Sequence, residues 1–131
     1  MPDEILRRLR GETSVWAVVG LSGNRARAAY GVAAFLIGEG KQIVPVHPAA
    51  ETVHGQRGYA SLRDIPHPVD VVDVFVRSEL AGAVVDDAIA IGARAVWLQL
   101  GVIDEAAAAR ARAAGLDVVM DRCPLLEFPR L

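Results

Sequence analysis

The residues best suited to chemistry sit early in the chain. Gly20-Leu21-Ser22-Gly23-Asn24 follows an apolar run, Val15 to Val19, and Arg25 and Arg27 come directly after it. Glycine lacks a Cβ, so an anion can approach the main chain closely at Gly20 and Gly23. A helix starting behind the loop would add unpaired N–H groups and a positive dipole end. Two guanidinium groups would add charge. Such a loop can cradle a diphosphate; it also fits an ordinary strand-to-helix turn with solvated arginines.

Several sharper readings fail on spacing. A G-x-G-x-x-G dinucleotide fingerprint is absent, because Ser22 and Arg25 stand at its later glycine positions. Nicotinamide sites also place an acid at the end of the second strand to accept from the ribose hydroxyl. Here that place holds His47-Pro48, and the nearest acid is Glu51. The G-x-x-x-x-G-K-[ST] phosphate loop is missing. A G-x-S-x-G nucleophile elbow fails at Asn24, and no acid-then-histidine order follows, since the last histidine is His67. Ser22 is therefore expected to donate to a ligand or to shape the turn, not to attack a substrate.

The remaining candidates are isolated. His47, His54 and His67 are too scattered for a preformed metal site. Cys123 reads as a structural thiol. Asp73 lies inside an apolar strand and should have a hydrogen-bond partner from a loop or helix end. Arg77 can pair with phosphate or with a neighbouring carboxylate. Gln99 suits a ligand contact or a satisfied loop amide. Asp86-Asp87 reads as a solvated helix face. No complete acid–base or nucleophile–base set emerges, so binding is expected in preference to catalysis.

These positions depend on alternating strands and helices. Asp3 can cap a leading helix in which Ile5, Leu6 and Leu9 share a face. Apolar strands are expected at 15–19, 42–46, 69–76, 95–100 and 117–120, their continuous runs suiting a sheet covered on both faces. Pro45 places the second strand near an unpaired end. Between them, one helix buries Ala29, Val32, Ala33 and Leu36 and stops near Gly38 and Gly40. Another, from Glu79 to Ile91, is capped by Ser78 and aligns Leu80, Val84, Ala88 and Ile91. Asp104 can cap an alanine-rich helix ending before Gly115. Residues 47–68 form a long connection, with a short strand or turn around 56–59. Five strands with helical crossovers predict a single α/β domain over 1–131, an open parallel Rossmann-type sheet with helices on both faces. The order 3-2-1-4-5 is favoured over the flavodoxin-like one. Ligands in such sheets bind beyond the carboxyl ends of the strands. That rule selects the 20–24 loop, His47-Pro48, Val76-Arg77-Ser78, Gln99-Leu100-Gly101 and Asp121-Arg122-Cys123.

Composition bounds the function classes. The 131 residues suffice for one core. Hydrophobic residues make up 53% of the chain and charged residues 23%. That balance excludes disorder. Fourteen basic and sixteen acidic residues give a net charge of −2, without the basic excess of a nucleic-acid binder. One cysteine rules out a disulfide framework and fits a reducing compartment. The charged start shows no targeting segment, and no run approaches the roughly 20 apolar residues that span a bilayer. A cytoplasmic protein without membrane association is expected.

At the strand tips the sequence resembles the stand-alone CoA-binding domain family. The resemblance rests on Ala17-Val18-Val19-Gly20-Leu21-Ser22, Tyr30-Gly31-Val32-Ala33 and Ile43-Val44-Pro45-Val46-His47-Pro48. It continues in 69–75, in Ala95-Val96-Trp97-Leu98-Gln99-Leu100-Gly101 and in 118–123, so it runs from about Val15 to Cys123. The family is similar to the N-terminal CoA-binding Rossmann domain of the succinyl-CoA synthetase alpha subunit. The resemblance implies coenzyme A, free or acylated, as a small-molecule ligand. It implies that Gly20, Ser22, Gly23, Asn24, Arg25 and Arg27 form the phosphate loop. His47 and Pro48 would border the adenosine, Val76 and Arg77 the adjacent rim, and Gln99 and Gly101 the pantetheine arm. Two departures stand out. The Pro-Lys-Pro type loop of many members reads Gly23-Asn24-Arg25 here, and the usual asparagine before Pro48 is His47. The synthetase's second domain, with its phosphorylated histidine, has no counterpart, so ligase activity is not implied. The alternatives are a nicotinamide-dependent oxidoreductase or acyl-CoA ligase component completed by a partner subunit, and a sheet that binds only an unknown protein.

Overall fold

The computed structural model describes residues 3–131. Five strands run parallel: β1 (Val15–Val19), β2 (Gln42–Val46), β3 (Val71–Val74), β4 (Ala95–Leu98) and β5 (Asp117–Val119). The helices are α1 (Asp3–Glu12), α2 (Ala28–Gly38), α3 (Ser78–Ala90), α4 (Glu105–Ala113) and a single turn, α5 (Pro124–Glu127). Alternate strand residues point to opposite faces. Val72, Val74, Val96 and Leu98 pack with Ala81, Val85 and Ala88 of α3 and with Ala107, Ala108 and Ala111 of α4. Trp16, Val18, Val71 and Trp97 pack on the other face with Leu6 and Leu9 of α1, with Ala29, Val32, Ala33 and Leu36 of α2, and with Phe128. Nearly every strand residue is buried, as the unbroken apolar runs require. The sheet is therefore the middle of three layers, as expected.

The strand order is β2-β1-β3-β4-β5, which corrects the favoured 3-2-1-4-5. The difference lies in a strand too short to count. Tyr59 bridges Val46 in parallel on the outer side of β2, donating its N–H to the Pro45 carbonyl at 3.0 Å. The amide of His47 donates to the Tyr59 carbonyl at 3.0 Å. Counted as a strand, this bridge restores the favoured order with one more member. The long connection thus covers the outer edge of β2, where Pro45 has no N–H to offer a ladder.

The strands end earlier than their apolar runs. β3 stops at Val74, where β1 stops, although Val69 and Val76 belong to the same run. Just before its start the Asp70 amide donates to the Val15 carbonyl at 2.9 Å, and its carboxylate accepts from the amides of Ser14 and Val15 at 2.8 and 2.9 Å. Asp104 caps α4 as predicted, accepting from the Ala107 amide at 3.0 Å. Ser78 does not cap α3, because it lies one residue inside it. Its hydroxyl instead donates to the Gly101 carbonyl and accepts from the Ile103 amide at 3.0 Å, tying α3 to the loop after β4.

Candidate functional site

The chain leaves β1 toward α2 on one face of the sheet and leaves β3 toward α3 on the other. Between β1 and β3 the connections diverge, and an open crevice forms above the carboxyl ends of the strands. A cleft of about 960 Å³ lies there. Its floor is Val19, Gly20, Val46, Phe75 and Val76. One wall is Ser22, Asn24, Arg27, Ala28 and Ala29, from the loop and first turn of α2. The opposite wall is Arg77, Leu80, Val84 and Asp87 of α3, and His47, Pro48, Ala60, Ser61 and Leu62 close the side next to β2.

The loop is built by local hydrogen bonds, in the manner of Ser and Asn turns. The Ser22 hydroxyl accepts from the Asn24 amide at 3.2 Å. The Asn24 side-chain oxygen accepts from the Ala26 amide at 3.0 Å. These turns deliver α2 with its first amides at the cleft, where they lack intrahelical partners. Gly20 is needed for a reason the sequence does not reveal. Its φ is +103°, and a Cβ there would sit 2.6 Å from the Phe75 carbonyl oxygen. Gly23 donates its amide to the Glu51 carboxylate at 2.7 Å, so a negative group from this chain already rests on the loop.

Eight of the twelve residues expected from the sequence line the cleft: Gly20, Ser22, Asn24, Arg27, His47, Pro48, Val76 and Arg77. Arg27 makes no ion pair with any described residue, whereas Arg77 lies 3.7 Å from Glu79 in an exposed pair. His47 accepts from the Ala49 amide through Nδ1 at 3.1 Å. The other four lie outside the wall. Gly23 faces Glu51, and Arg25 stacks over the Tyr30 ring at 5.7 Å. Gly101 donates its amide to the Asp121 carboxylate at 2.8 Å. Gln99 is buried, and its Oε1 has no hydrogen-bond partner.

The structure corrects three further expectations. Leu80 and Val84 face the cleft, while Ala81, Val85 and Ala88 pack on the sheet, since small alanines let α3 approach it closely. Asp86 and Asp87 are not simply solvated, being paired with Arg110 and Arg63, both at 2.9 Å. Asp73 has no partner at either carboxylate oxygen, although it is fully buried between Val18 and Trp97. Burial pushes its carboxyl well above the ordinary range. Cys123 is buried, in keeping with a structural thiol. Among the described residues no three His, Cys, Asp or Glu side chains gather as metal ligands, and no helix is long and apolar enough to cross a membrane.

The site can be set beside known proteins. An uncharacterized protein of Bacillus subtilis, YneT, is 35% identical over 107 residues, which span 82% of this chain and 79% of that one. A hypothetical protein of Pyrococcus horikoshii superposes with a TM-score of 0.95 at 37% identity, covering 100% of this chain and 92% of that one. The dinucleotide-forming acetyl-coenzyme A synthetase 1 of Ca. Korarchaeum cryptofilum superposes with a TM-score of 0.76 at 25% identity. The match covers 88% of this chain and 28% of the synthetase chain. The model of the family described as CoA binding domain matches residues 14–129. On that match, which takes in all five strands and the cleft, the chain belongs to the CoA binding domain family.

Proposed function

We propose that the chain binds coenzyme A or an acyl-coenzyme A in the cleft between β1 and β3, without a catalytic apparatus of its own. The observation that carries this reading is the convergence of three anion-binding features in a member of this family. They are the small-residue loop, the first-turn amides of α2, and the Arg27 guanidinium, which no described carboxylate neutralises. His47 and Pro48 then border the adenosine, and Val76 and Arg77 its rim. Gly101 stands where the pantetheine arm would pass, one strand further on, whereas the Gln99 side chain is turned into the core and does not reach it. The cleft holds one histidine, His47, and one carboxylate, Asp87, which is already paired with Arg63. Those groups do not make an acid–base couple, so the reading is of a carrier or sensor. A reducing, cytoplasmic setting suits the lone buried thiol of Cys123.

Calorimetry and thermal shift with CoA, dephospho-CoA, NAD(H) and ATP test the proposal. A ligand at about one hundred times its Kd should stabilise the fold by about 2.7 kcal/mol. The expected result is a clear shift with CoA that exceeds the shift with NAD(H). Flat curves with CoA and its thioesters, or a larger shift with NAD(H), overturn it. A second reading, a ligase component completed by a partner chain, is favoured by the superposition on part of the synthetase. It requires a co-purifying subunit and thioester formation by the pair.

A further inference from the structure

Three large apolar side chains stand exposed beside the cleft. Leu80 is 50% exposed, Leu100 53% and Ile103 47%. Leu80 sits in the first turn of α3 and lines the cleft wall, while Leu100 and Ile103 lie on either side of Gly101-Val102 in the loop after β4. The Ser78 hydroxyl holds the two segments together by its bonds to Gly101 and Ile103. The core needs none of the three, since Ala81, Val85 and Ala88 carry the packing of α3 and Val102 is the buried residue of the loop.

We propose that this rim takes the acyl group of an acyl-CoA, and that the protein favours apolar acyl chains over free CoA; the inference rests on the CoA reading above. Distance supports it. The pantetheine arm has the main-chain length of about four residues and reaches roughly 13–14 Å when extended. From β1 to β5 the sheet crosses three strand spacings, roughly 14 Å. A diphosphate held at the β1 loop therefore brings the thioester to the tips of β4 and β5, where Leu100 and Ile103 stand. A protein partner fits less well. Three half-exposed side chains fall far short of the roughly 800 Å² per partner that a stable interface buries.

Isothermal titration with CoA, acetyl-CoA, butyryl-CoA and hexanoyl-CoA tests the inference. Each methylene should strengthen binding about twofold on a half-open rim, against about fourfold for full burial. Hexanoyl-CoA is thus expected to bind at least about tenfold tighter than acetyl-CoA. In Leu100→Ser/Ile103→Ser that gap should shrink to under about threefold, with the Kd for free CoA unchanged. Both positions are exposed, and Ile103→Ser alone gives a milder second test. Equal affinities for the thioesters in the wild type overturn the inference, and so does a gap that survives in the double variant. In either case CoA binding itself stands. Failure of CoA and every thioester to bind removes the CoA reading, and this inference with it.

Discussion

Replacing Asp73 with asparagine should stabilise the protein, and by an amount that grows with pH. Both carboxylate oxygens are buried without a partner, and desolvation alone drives the carboxyl well above its ordinary value of 3.8. The native chain therefore keeps this proton at a pH where the unfolded chain has lost it. With more protons bound in the native state, stability falls as pH rises, by about 1.4 kcal/mol per pH unit. The fall begins near the unfolded value and ends at the raised native one. Below about pH 4 both states are protonated and this contribution is fully present. Asparagine has the same shape and no proton to lose. Its amide keeps a donor, at every pH, on the strand face where the Gln99 Oε1 lies two residues further along the neighbouring strand without a partner. Above about pH 4 the gap in stability between Asp73→Asn and wild type should therefore widen steadily with pH, at up to about 1.4 kcal/mol per unit for as long as the native carboxyl keeps its proton. Each kcal/mol corresponds to roughly 2–8 °C in Tm for domains in this size range. Parallel melting experiments from about pH 4 to pH 8 measure the gap directly. A gap independent of pH would mean that Asp73 ionises in the native chain, and the argument from burial would be wrong.

Other substitutions separate binding from folding. Arg27→Ala should weaken CoA binding about tenfold, as the loss of a charge-assisted contact implies, and leave the apo Tm unchanged; calorimetry on the folded variant checks both. Glu51→Gln should strengthen CoA binding about fivefold, because the carboxylate now on the Gly23 amide would no longer repel a phosphate at about 4 Å, an effect of about 1 kcal/mol. Weaker binding would show that Glu51 holds the loop open. In Gly20→Ala the left-handed backbone and the Phe75 carbonyl both oppose the added Cβ. Denaturant unfolding should show a loss of about 2 kcal/mol or more. Asp104→Ala should cost about 1 kcal/mol through the lost α4 cap, with CoA affinity unaltered.

The sequence announces features that repeat and conceals those that occur once. The five strands and the main helices declare themselves by apolar runs, spacing and stop residues, and the α2 stripe of Ala29, Val32, Ala33 and Leu36 is buried as read. The bridge at Tyr59 falls where a short strand or turn is expected around 56–59, but a single pair has no period to mark it as a sheet member, so the outermost strand goes uncounted and the order of the rest shifts with it. On α3 two stripes compete. Leu80 and Val84 look like core because they are large, yet the sheet takes the alanines and leaves the larger residues to the cleft. Gln99 shows what strict alternation can still recover. Counting by twos from Trp97 puts its side chain on the buried face that Asp73 also occupies, away from the ligand edge. The same count keeps Val76 and Arg77 legible, because they lie beyond the ladder at the β3 tip, where position along the strand decides more than side-chain direction. A site made of loop amides, one unneutralised arginine and strand tips is thus readable from order along the chain, whereas a side chain inside a strand must also be given its face. That distinction explains why Arg27 emerges as a cleft residue and Gln99 does not.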